Sequence, residues 1–288
     1  MTIIEHNNEI EIIGVRDFDL EKTFECGQCF RWSANQNGVY TGVAFSQVAE
    51  LCTDIQTGSI FISGTIEDFK NIWCDYFDLN RDYLQIRQDL CIDDFMIKAT
   101  EFGAGIRILR QDKWEALCSF IISQNNHIPR IRSIIDNLCK QFGDKIKFKD
   151  RDYYTFPSAE KINTLHVKDL ANIRSGYRAD YIIRAARDIA DGKINLEELA
   201  NRPSDEARKE LKKLHGVGDK VADCVMLFGL NKLDAFPLDV WMKRAVTQHY
   251  GSGFDPQTFS PFAGIAQQYI FYYMREHGSN RWGKINNE

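Results

Sequence analysis

The chain has no apolar run long enough to cross a bilayer and no basic amino-terminal segment of the kind that directs secretion. A membrane-spanning helix needs about 20 apolar residues, whereas the apolar runs here are short, for example residues 118–122. The first residues, MTIIEHNNEIEII, carry acidic side chains where a signal peptide carries basic ones. Since the chain also has no internal repeat or low-complexity segment, we expect a globular intracellular protein of the cytoplasm.

The eight cysteines are not arranged as a disulfide framework or as a zinc site. Cys118, Cys139 and Cys224 lie inside apolar helical patterns, where free thiols behave as small hydrophobic groups. Cys26 and Cys29 have the spacing of a metal or redox motif, but no second Cys or His pair with ligand spacing accompanies them. We therefore expect reduced thiols and no metal bound by side chains.

The net charge of −5 is, at face value, unfavourable for a nucleic-acid partner. Its distribution is uneven, however. Residues 1–100 hold 7 Lys and Arg against 17 Asp and Glu, a net charge of −10, and the remaining residues hold 29 against 24, a net charge of +5. Because electrostatic attraction is screened over about 8 Å at physiological salt, the basic part remains compatible with a polyanion.

The residue pattern predicts two domains of different class. Residues 39–45 and 59–63 are rich in aromatic and β-branched side chains and follow Asn-Gly and Thr-Gly turns, which is typical of β-strands. From about residue 95 onwards, apolar side chains recur every three or four positions, which is typical of helices. We predict an α+β fold with an antiparallel sheet domain at 1–95 and a larger all-helical domain at 96–288, in which a helical hairpin occupies about 207–229.

The most informative stretch has a glycine-bracketed turn, Gly216 to Gly218, followed by Lys220 in the first turn of an apolar helix. Backbone N–H groups of such a turn and the positive end of a helix dipole suit a phosphate. An ordinary helix connection with a glycine cap would look similar, but Lys212 and Lys213 also flank this turn. Lys220 opposes the helix dipole, which favours its neutral amine, a nucleophile that can form a Schiff base.

Asp239 follows Pro237 and precedes a helical run over residues 240–250. This is the pattern of a helix N-cap, which by itself contributes about 1 kcal/mol to stability. A partly buried carboxylate at such a position can also stabilise a developing cation. The two roles are compatible.

The runs GVGDKVADC (216–224) and PLDV (237–240) resemble the lysine-bearing hairpin and catalytic aspartate of the helix-hairpin-helix (HhH-GPD) DNA glycosylases, in the 8-oxoguanine DNA glycosylase/AP lyase branch. Four further motifs occur in that family's order: GQCFRW (27–32), SQNNHIPRI (123–131), GYRADYI (176–182) and AGIAQQYIF (263–271). The resemblance implies a TBP-like sheet domain and a monomeric base-excision-repair enzyme at the nucleoid. Its partner would be double-stranded DNA containing an oxidised purine.

The resemblance also implies a reaction for Lys220 and Asp239. A lesion base must be flipped out of the duplex before its C1′ can be attacked. Lys220 would attack C1′ and form an imine that supports β-elimination, while Asp239 would stabilise the positive charge on the sugar. The N–H groups of Gly216 and Gly218 would hold a DNA phosphate. No cofactor would be required, although a structural monovalent cation on backbone carbonyls near Leu214 and Val217 is implied.

Four residues would recognise the lesion base. Gly27 would offer its carbonyl to the N7–H that oxidation creates and normal guanine lacks, and Gln267 would bind the Watson–Crick edge. Phe271 and Cys224 would pack on the two faces of the ring. The alternatives are core positions for Phe271 and Cys224 and an exposed helix position for Gln267.

A second group would act on the opposite strand. Asn125 would fill the vacated space, and Tyr177 would wedge the base stack. Arg130 and Arg178 would contact the estranged base, whose preferred identity would be cytosine, because guanidinium donors match its O2 and N3 acceptors. Phosphate or surface contact is the alternative for both arginines. The chain departs from the family at Trp241, where the animal enzymes carry a phosphate-contacting histidine, and at His127 and Pro129 of the gap-filling loop.

Three other functions are disfavoured or left open by the sequence. Adenine- and pyrimidine-specific relatives often carry a four-cysteine iron–sulfur cluster after the hairpin, but no cysteine follows Cys224. Alkylation-repair relatives usually lack the hairpin lysine that is present here as Lys220. A non-catalytic protein that binds phosphate through the hairpin remains an alternative, which borohydride trapping on damaged DNA would test.

Overall fold

The computed structural model of the chain describes residues 1–278, and its amino-terminal part is a six-stranded antiparallel sheet. The strand order is β1-β2-β6-β5-β4-β3. The strands are β1 (Thr2–His6), β2 (Glu9–Ile13), β3 (Trp32–Ala34), β4 (Tyr40–Ala44), β5 (Gln47–Thr53) and β6 (Ile60–Ser63). One face of the sheet is apolar because alternate side chains of β2 and β6 are buried, and Phe24, Phe69 and Trp73 pack against it. The predicted sheet is confirmed.

The rest of the described chain is mainly helical, which confirms the predicted α+β class. The α-helices are α1 (Leu20–Glu25), α2 (Ile66–Asp68), α3 (Cys74–Tyr76), α4 (Tyr83–Asp89), α5 (Asp94–Phe102), α6 (Lys113–Ser123), α7 (Ile128–Phe142), α8 (Ala159–Asn163), α9 (Arg178–Ala190), α10 (Leu196–Asn201), α11 (Ser204–Leu211), α12 (Asp219–Phe228), α13 (Val240–His249) and α14 (Ala263–Gly278). A π-helical turn joins α2 to α3, and short 3₁₀ helices occupy Val167–Ile173, Gly251–Gly253 and Pro256–Phe259. No helix within residues 1–278 has both the length and the apolar character needed to cross a membrane.

One element of the helical part was not predicted. Strands β7 (Lys145–Phe148) and β8 (Arg151–Tyr154) form a two-stranded antiparallel sheet between α7 and α8, so the expectation of an all-helical domain is incomplete. These strands have only four residues each, and their outward side chains are charged. The hairpin therefore adds little apolar periodicity to a region dominated by the helical pattern.

Two hydrophobic cores meet along an extended segment between α5 and α6. Ile106 and Ile108 are buried in the core of the helices, whereas Leu109 is buried in the core of the sheet. Arg107, which is 2% exposed, donates to the carbonyls of Arg16, Asp17 and Asp78 on the sheet side. Because successive side chains of an extended chain point to opposite sides, this segment contributes side chains to both cores.

A buried ion pair also joins the two parts of the chain. Arg31, just before β3, lies 3.0 Å from the carboxylate of Glu115 in α6 and also donates to the carbonyl of Tyr154 in β8. Both charged side chains are nearly enclosed, with 10% and 14% of their surfaces exposed. All eight cysteines lie in the described residues and are free thiols.

Candidate active site

A narrow cavity in the helical part brings together residues that lie far apart in the sequence. It has a volume of about 60 Å³, which holds a few water molecules but is too small for a purine base. Among its lining residues are all of those predicted for catalysis and lesion binding: Gly27, Lys220, Cys224, Asp239, Gln267 and Phe271. Gln268 and Phe120 line it as well.

Lys220 reaches this cavity from the start of α12. Its helix begins at Asp219, with Gly218 as the N-cap, so the lysine lies in the first turn as the sequence pattern indicates. The Nζ atom lies 3.3 Å from the hydroxyl oxygen of Ser123 and 5.4 Å from the centre of the Phe120 ring. The hydroxyl accepts from the amine and donates to the Phe120 carbonyl at 2.8 Å. Ser123 and the ring thus hold the amine in place.

Asp239 reaches the cavity from the start of α13, where it is the N-cap residue. Its carboxylate accepts a hydrogen bond from the backbone N–H of Met242 at 2.8 Å. Burial raises the pKa of Asp239 above its ordinary value, and the hydrogen bond from Met242 and the charge of Lys220 oppose that rise. Asp239 is therefore both the N-cap residue of α13 and close enough to Lys220 for their charges to interact.

Gln267 and Cys224 present polar atoms to the small cavity. Gln267 is only 4% exposed, so the alternative of an exposed helix position is wrong. Within residues 1–278, no donor binds its side-chain oxygen, Oε1. Burial raises the pKa of the Cys224 thiol to about 11, and the thiol is therefore neutral at physiological pH and acts as a packing group.

Gly27 lies against the ring of Phe271 at one side of the cavity. A Cβ added to Gly27 would be 3.4 Å from Cε1 of Phe271, and the backbone of this glycine has a φ of +86°. The segment is held by Gln28, whose buried amide group donates to the Thr23 and Arg107 carbonyls and accepts from the Leu109 N–H. Sequence reasoning did not find this role of Gln28, because nothing in the GQC motif shows where the glutamine side chain turns.

Three of the four residues predicted to act on the opposite strand are exposed. Asn125, Arg130 and Tyr177 are exposed, and Asn125 adopts the left-handed conformation with a φ of +49°. Two departures from the family pattern have local reasons. His127 caps α7, its Nδ1 lying 3.4 Å from the N–H of Arg130, and Pro129 fits the first turn, where its missing N–H is not needed.

Arg178 is not placed as the sequence prediction expected. It is only 4% exposed, and its guanidinium donates to the backbone carbonyls of Gln124 and Ser175 while lying 4.5 Å from the centre of the Tyr177 ring. These bonds occupy three of its five N–H groups, so contact with an estranged base would use the remaining two or require these hydrogen bonds to open. The sequence could not show this, because arginine is mostly found at the surface.

Gln124 joins the gap-filling loop to the hairpin. Its side-chain amide donates to the carbonyl of Gly216 at 3.1 Å, while its own carbonyl accepts from Arg178. The loop 123–131, the start of α9 and the hairpin turn are therefore hydrogen-bonded to one another. Gln124 was missed because it is an ordinary polar residue between two recognised positions.

The two hairpin glycines have different structural reasons. Gly216 has a φ of +83°, and a Cβ there would lie 2.3 Å from the Tyr181 ring, so the folded chain itself requires glycine. At Gly218 the backbone is extended and a Cβ would meet no atom within 4 Å. Gly218 caps α12 without a side-chain hydrogen bond, which leaves the first N–H groups of the helix available to an external anion.

The lysines beside the turn are paired rather than free. Lys212 lies 2.6 Å from the carboxylate of Asp219, and Lys213 lies 2.6 Å from that of Glu210. The Leu214 carbonyl accepts from the N–H of Val217 at 3.1 Å, and the cation expected near these two residues stays a prediction. Within residues 1–278, no cluster of three or more His, Cys, Asp or Glu side chains could hold a metal ion.

Trp241 occupies the position of the family's phosphate-contacting histidine. It is partly buried in α13, and the guanidinium of Arg244 lies 5.1 Å from the centre of its ring. An indole has a single N–H donor, so the positive charge on this surface comes from Arg244 rather than from position 241.

Two family models match consecutive parts of the chain. Residues 12–117 match the N-terminal domain of 8-oxoguanine DNA glycosylase, and residues 118–258 match the HhH-GPD superfamily of base excision DNA repair proteins. Among curated proteins, an N-glycosylase/DNA lyase of Saccharomyces cerevisiae is 31% identical over 262 residues, which are 80% of this chain and 68% of the yeast protein.

Solved structures are similar over nearly the whole chain. MBOgg1 in complex with a low-affinity DNA ligand is 44% identical, with a TM-score of 0.92, covering 96% of this chain and 99% of that one. The Clostridium acetobutylicum 8-oxoguanine glycosylase/lyase, bound to double-stranded DNA with cytosine opposite 8-oxoguanine, is 40% identical, with a TM-score of 0.91 and the same coverage.

Proposed function

The chain belongs to the 8-oxoguanine DNA glycosylase family of the HhH-GPD superfamily, and from this premise we propose that it excises 8-oxoguanine opposite cytosine and cleaves the strand through a lysine Schiff base. It is a DNA-repair enzyme of the bifunctional N-glycosylase/AP lyase type. The observation that carries the proposal is the meeting of Lys220 and Asp239 with Gly27 and Gln267 at one small cavity.

Lys220 is the nucleophile in this proposal. As the C1′–N9 bond breaks, the base leaves with the bonding electron pair and takes up a proton, while the amine nitrogen bonds to C1′. One proton of the bonded nitrogen then passes to O4′ as the C1′–O4′ bond opens, which gives a protonated imine. Removal of a C2′ proton expels the 3′ phosphate, which leaves with the electron pair of the C3′–O bond. The hydrogen bond to Ser123 orients the amine before the attack.

Asp239 stabilises the positive charge that develops on the sugar. Its partial burial supports this role, because a carboxylate acts more strongly on a nearby charge when water is excluded. The backbone N–H of Met242 fixes the direction of the carboxylate, so little reorganisation is needed when the charge appears.

Gly27 and Gln267 read the flipped base. The unpaired Oε1 of Gln267 supports a ligand role, since a buried polar atom without a partner costs about 1–3 kcal/mol. The cavity must widen before a purine enters. Phe271 is the partly buried side chain at its edge, and its displacement would open the site and allow it to stack on the base.

Cytosine preference rests on Arg130 and Arg178. Arg130 is exposed in the first turn of α7, and Arg178 would join it after release from the Gln124 carbonyl. Guanidinium groups match the acceptors of cytosine, whereas opposite a purine they would meet different edges. The N–H groups at the start of α12, which no side chain of residues 1–278 caps, support phosphate binding at Gly216 and Gly218. We further propose that the enzyme acts as a monomer at the nucleoid without a required cofactor.

Borohydride trapping tests the nucleophile. The wild-type protein, Lys220→Gln and the control Lys213→Gln are incubated with 8-oxoguanine duplexes and with other oxidised-base duplexes in the presence of borohydride. We expect covalent cross-links with the wild type and Lys213→Gln and none with Lys220→Gln. Equal trapping by Lys220→Gln would make the assignment wrong. If no duplex traps the wild type, the non-catalytic DNA-binding alternative is favoured instead.

A further inference from the structure

The backbone carbonyls around Gly27 are almost all bound by side chains. Five of the six carbonyls of residues 23–28 accept such a bond: Thr23 from Gln28 (2.9 Å), Phe24 from Arg132 (3.4 Å), Glu25 from Arg275 (2.8 Å), Cys26 from Gln268 (2.8 Å) and Gln28 from Gln111 (2.7 Å). The sixth is the Gly27 carbonyl, which accepts no hydrogen bond from residues 1–278. The segment is therefore fixed on both sides of one free acceptor.

Two of these donors come from the helix that also carries Phe271. Gln268 and Arg275 are seven residues apart on α14, two helical turns, and Phe271 lies between them on the same face. A Cβ at Gly27 would lie 3.4 Å from Phe271 and 3.8 Å from Nη1 of Arg275. One helix face thus contacts the glycine and binds the two carbonyls that precede it.

Gln268 is the more informative of the two. It is 2% exposed, and its amide nitrogen donates to the Cys26 carbonyl. Arg275 has additional contacts, because it pairs with Glu276 at 2.9 Å and lies 5.3 Å from the centre of the Tyr272 ring. The buried Gln268 amide thus binds the carbonyl of the residue directly before the glycine.

A glycine needs such support more than another residue would. It has no side chain to limit its backbone angles, and the Gly27 φ of +86° lies outside the range of ordinary residues. A hydrogen bond weakens steeply as its angle departs from linearity. If the Gly27 carbonyl distinguishes 8-oxoguanine from guanine, its selectivity therefore depends on how rigidly the peptide groups on either side of it are held.

We propose that Gln268 and Arg275 are positioning residues that orient the Gly27 carbonyl and so set the selectivity for the oxidised base. This proposal rests on the proposed function, in which that carbonyl accepts the N7–H of 8-oxoguanine. Normal guanine presents an unprotonated N7 to the same carbonyl, and two acceptors repel each other. Loosening the carbonyl weakens the favourable contact and relieves the unfavourable one.

The test distinguishes recognition of the lesion base from cleavage of the DNA strand. Gln268→Met keeps the side-chain length and removes the donor, and Gln88→Met, at an exposed position of α4, is the matched control. Single-turnover rates are measured for excision from an 8-oxoguanine·cytosine duplex and for cleavage at a preformed abasic site opposite cytosine. An abasic site has no base, so its cleavage does not use the Gly27 carbonyl.

We expect Gln268→Met to slow excision about 10-fold, the loss of one good hydrogen bond, while abasic-site cleavage stays within about 2-fold. Arg275→Met should behave similarly, and Arg275→Lys, which keeps a donor, should recover part of the rate. In a Lys220→Gln background, which binds without cleaving, Gln268→Met should reduce the ratio of affinities for 8-oxoguanine and guanine duplexes by a similar factor.

Three results would contradict these expectations in different ways. If Gln268→Met excised 8-oxoguanine at the wild-type rate, the positioning role would be overturned and the proposed function would stand. The same holds if the variant left the ratio of affinities for 8-oxoguanine and guanine duplexes unchanged. Parallel loss of excision and abasic-site cleavage would show that Gln268 supports the whole site, which also overturns it. A wild-type protein inactive on both duplexes would overturn the proposed function and this inference with it.

Discussion

Arg178 donates from Nε to the backbone carbonyl of Gln124 over 2.8 Å. This bond joins the start of α9 to the gap-filling loop, and the Gln124 side chain continues the connection to the Gly216 carbonyl. Three segments that would each contact DNA are therefore connected in the free protein. The arginine proposed to contact cytosine is, before DNA binds, part of that connection.

The first prediction separates the two arginines by stability. Arg178→Ala should lower the free energy of unfolding by about 1–3 kcal/mol, because it leaves the part-buried Gln124 carbonyl without its donor, whereas the exposed Arg130→Ala should leave it nearly unchanged. Both variants should flatten the preference for cytosine. Urea unfolding and excision rates with C, A, G and T opposite 8-oxoguanine measure the two effects. Arg184→Ala, an exposed position of α9, serves as the control, and equal wild-type rates opposite all four bases would contradict the role of both arginines.

The second prediction concerns the charge of Asp239. Asn is as good an N-cap as Asp, so Asp239→Asn should keep the helix start while it lowers the excision rate by about 10²- to 10³-fold. Because burial raises the pKa of Asp239, the wild-type activity should fall with decreasing pH at a higher pH than an ordinary aspartate would give. The variant should lack this acid limb. A pH–rate profile without an acid limb in the wild type would contradict the assignment.

The same raised pKa has a consequence for stability. A group whose pKa is higher in the folded than in the unfolded state contributes stability below the unfolded pKa and loses that contribution as the pH rises through the folded pKa. Asp239 is thus a cost to the folded state at neutral pH, and Asp239→Asn should be at least as stable as the wild type at pH 7. A clearly lower midpoint of unfolding for the variant would show that the carboxylate stabilises the fold.

The third prediction distinguishes the hairpin glycines. Gly216→Ala should destabilise the protein by about 1–3 kcal/mol or more, since alanine is strained at positive φ and its Cβ would collide with Tyr181. Gly218→Ala should leave stability within about 0.5 kcal/mol and weaken binding to undamaged duplex DNA, because the new methyl group would stand between the helix N–H groups and a phosphate. Thermal unfolding and DNA titration give the two readouts. Unchanged DNA affinity of Gly218→Ala would contradict phosphate binding there.

The fourth prediction concerns the ion pair between Arg31 and Glu115. Glu115→Gln should lower the free energy of unfolding by about 3–5 kcal/mol, because it leaves the nearly enclosed guanidinium without its counter-charge. Asp136→Asn breaks the exposed pair with Lys140 and should change stability by less than about 0.5 kcal/mol. Denaturant unfolding of both variants measures the difference. If Glu115→Gln lowered the free energy of unfolding as little as Asp136→Asn, water would have to reach the Arg31 guanidinium.

Local patterns were sufficient for much of the fold. Two strands of the sheet, β4 and β6, could be predicted because turn dipeptides precede them and aromatic and β-branched side chains fill them. The helices could be predicted because their buried faces repeat at the helical period. Strands β7 and β8 were missed because four residues with alternating charges give too short a signal beside α7.

The candidate site divides in the same way. Lys220, Asp239 and the predicted lesion-binding residues of the cavity (Gly27, Cys224, Gln267 and Phe271) could be found because each belongs to a recognisable local motif. The side chains that hold these residues in position could not be predicted. Gln268 binds a carbonyl 242 positions away in the sequence, and no local pattern indicates which distant acceptor a buried amide will find. The burial of Arg178 could not be predicted for a related reason, because its acceptor Gln124 belongs to another loop.

The alternation of Ile106, Arg107, Ile108 and Leu109 between two cores has a consequence for dissection of the molecule. If the chain were divided at a domain boundary before this segment, Leu109 would lose its apolar neighbours in the core of the sheet. The Arg107 guanidinium would also lose the carbonyls of Asp17 and Asp78, which accept its hydrogen bonds. A cut after it would expose Ile106 and Ile108 instead. The two parts are therefore one cooperative unit, which should melt in a single transition and resist separation into independently folding fragments.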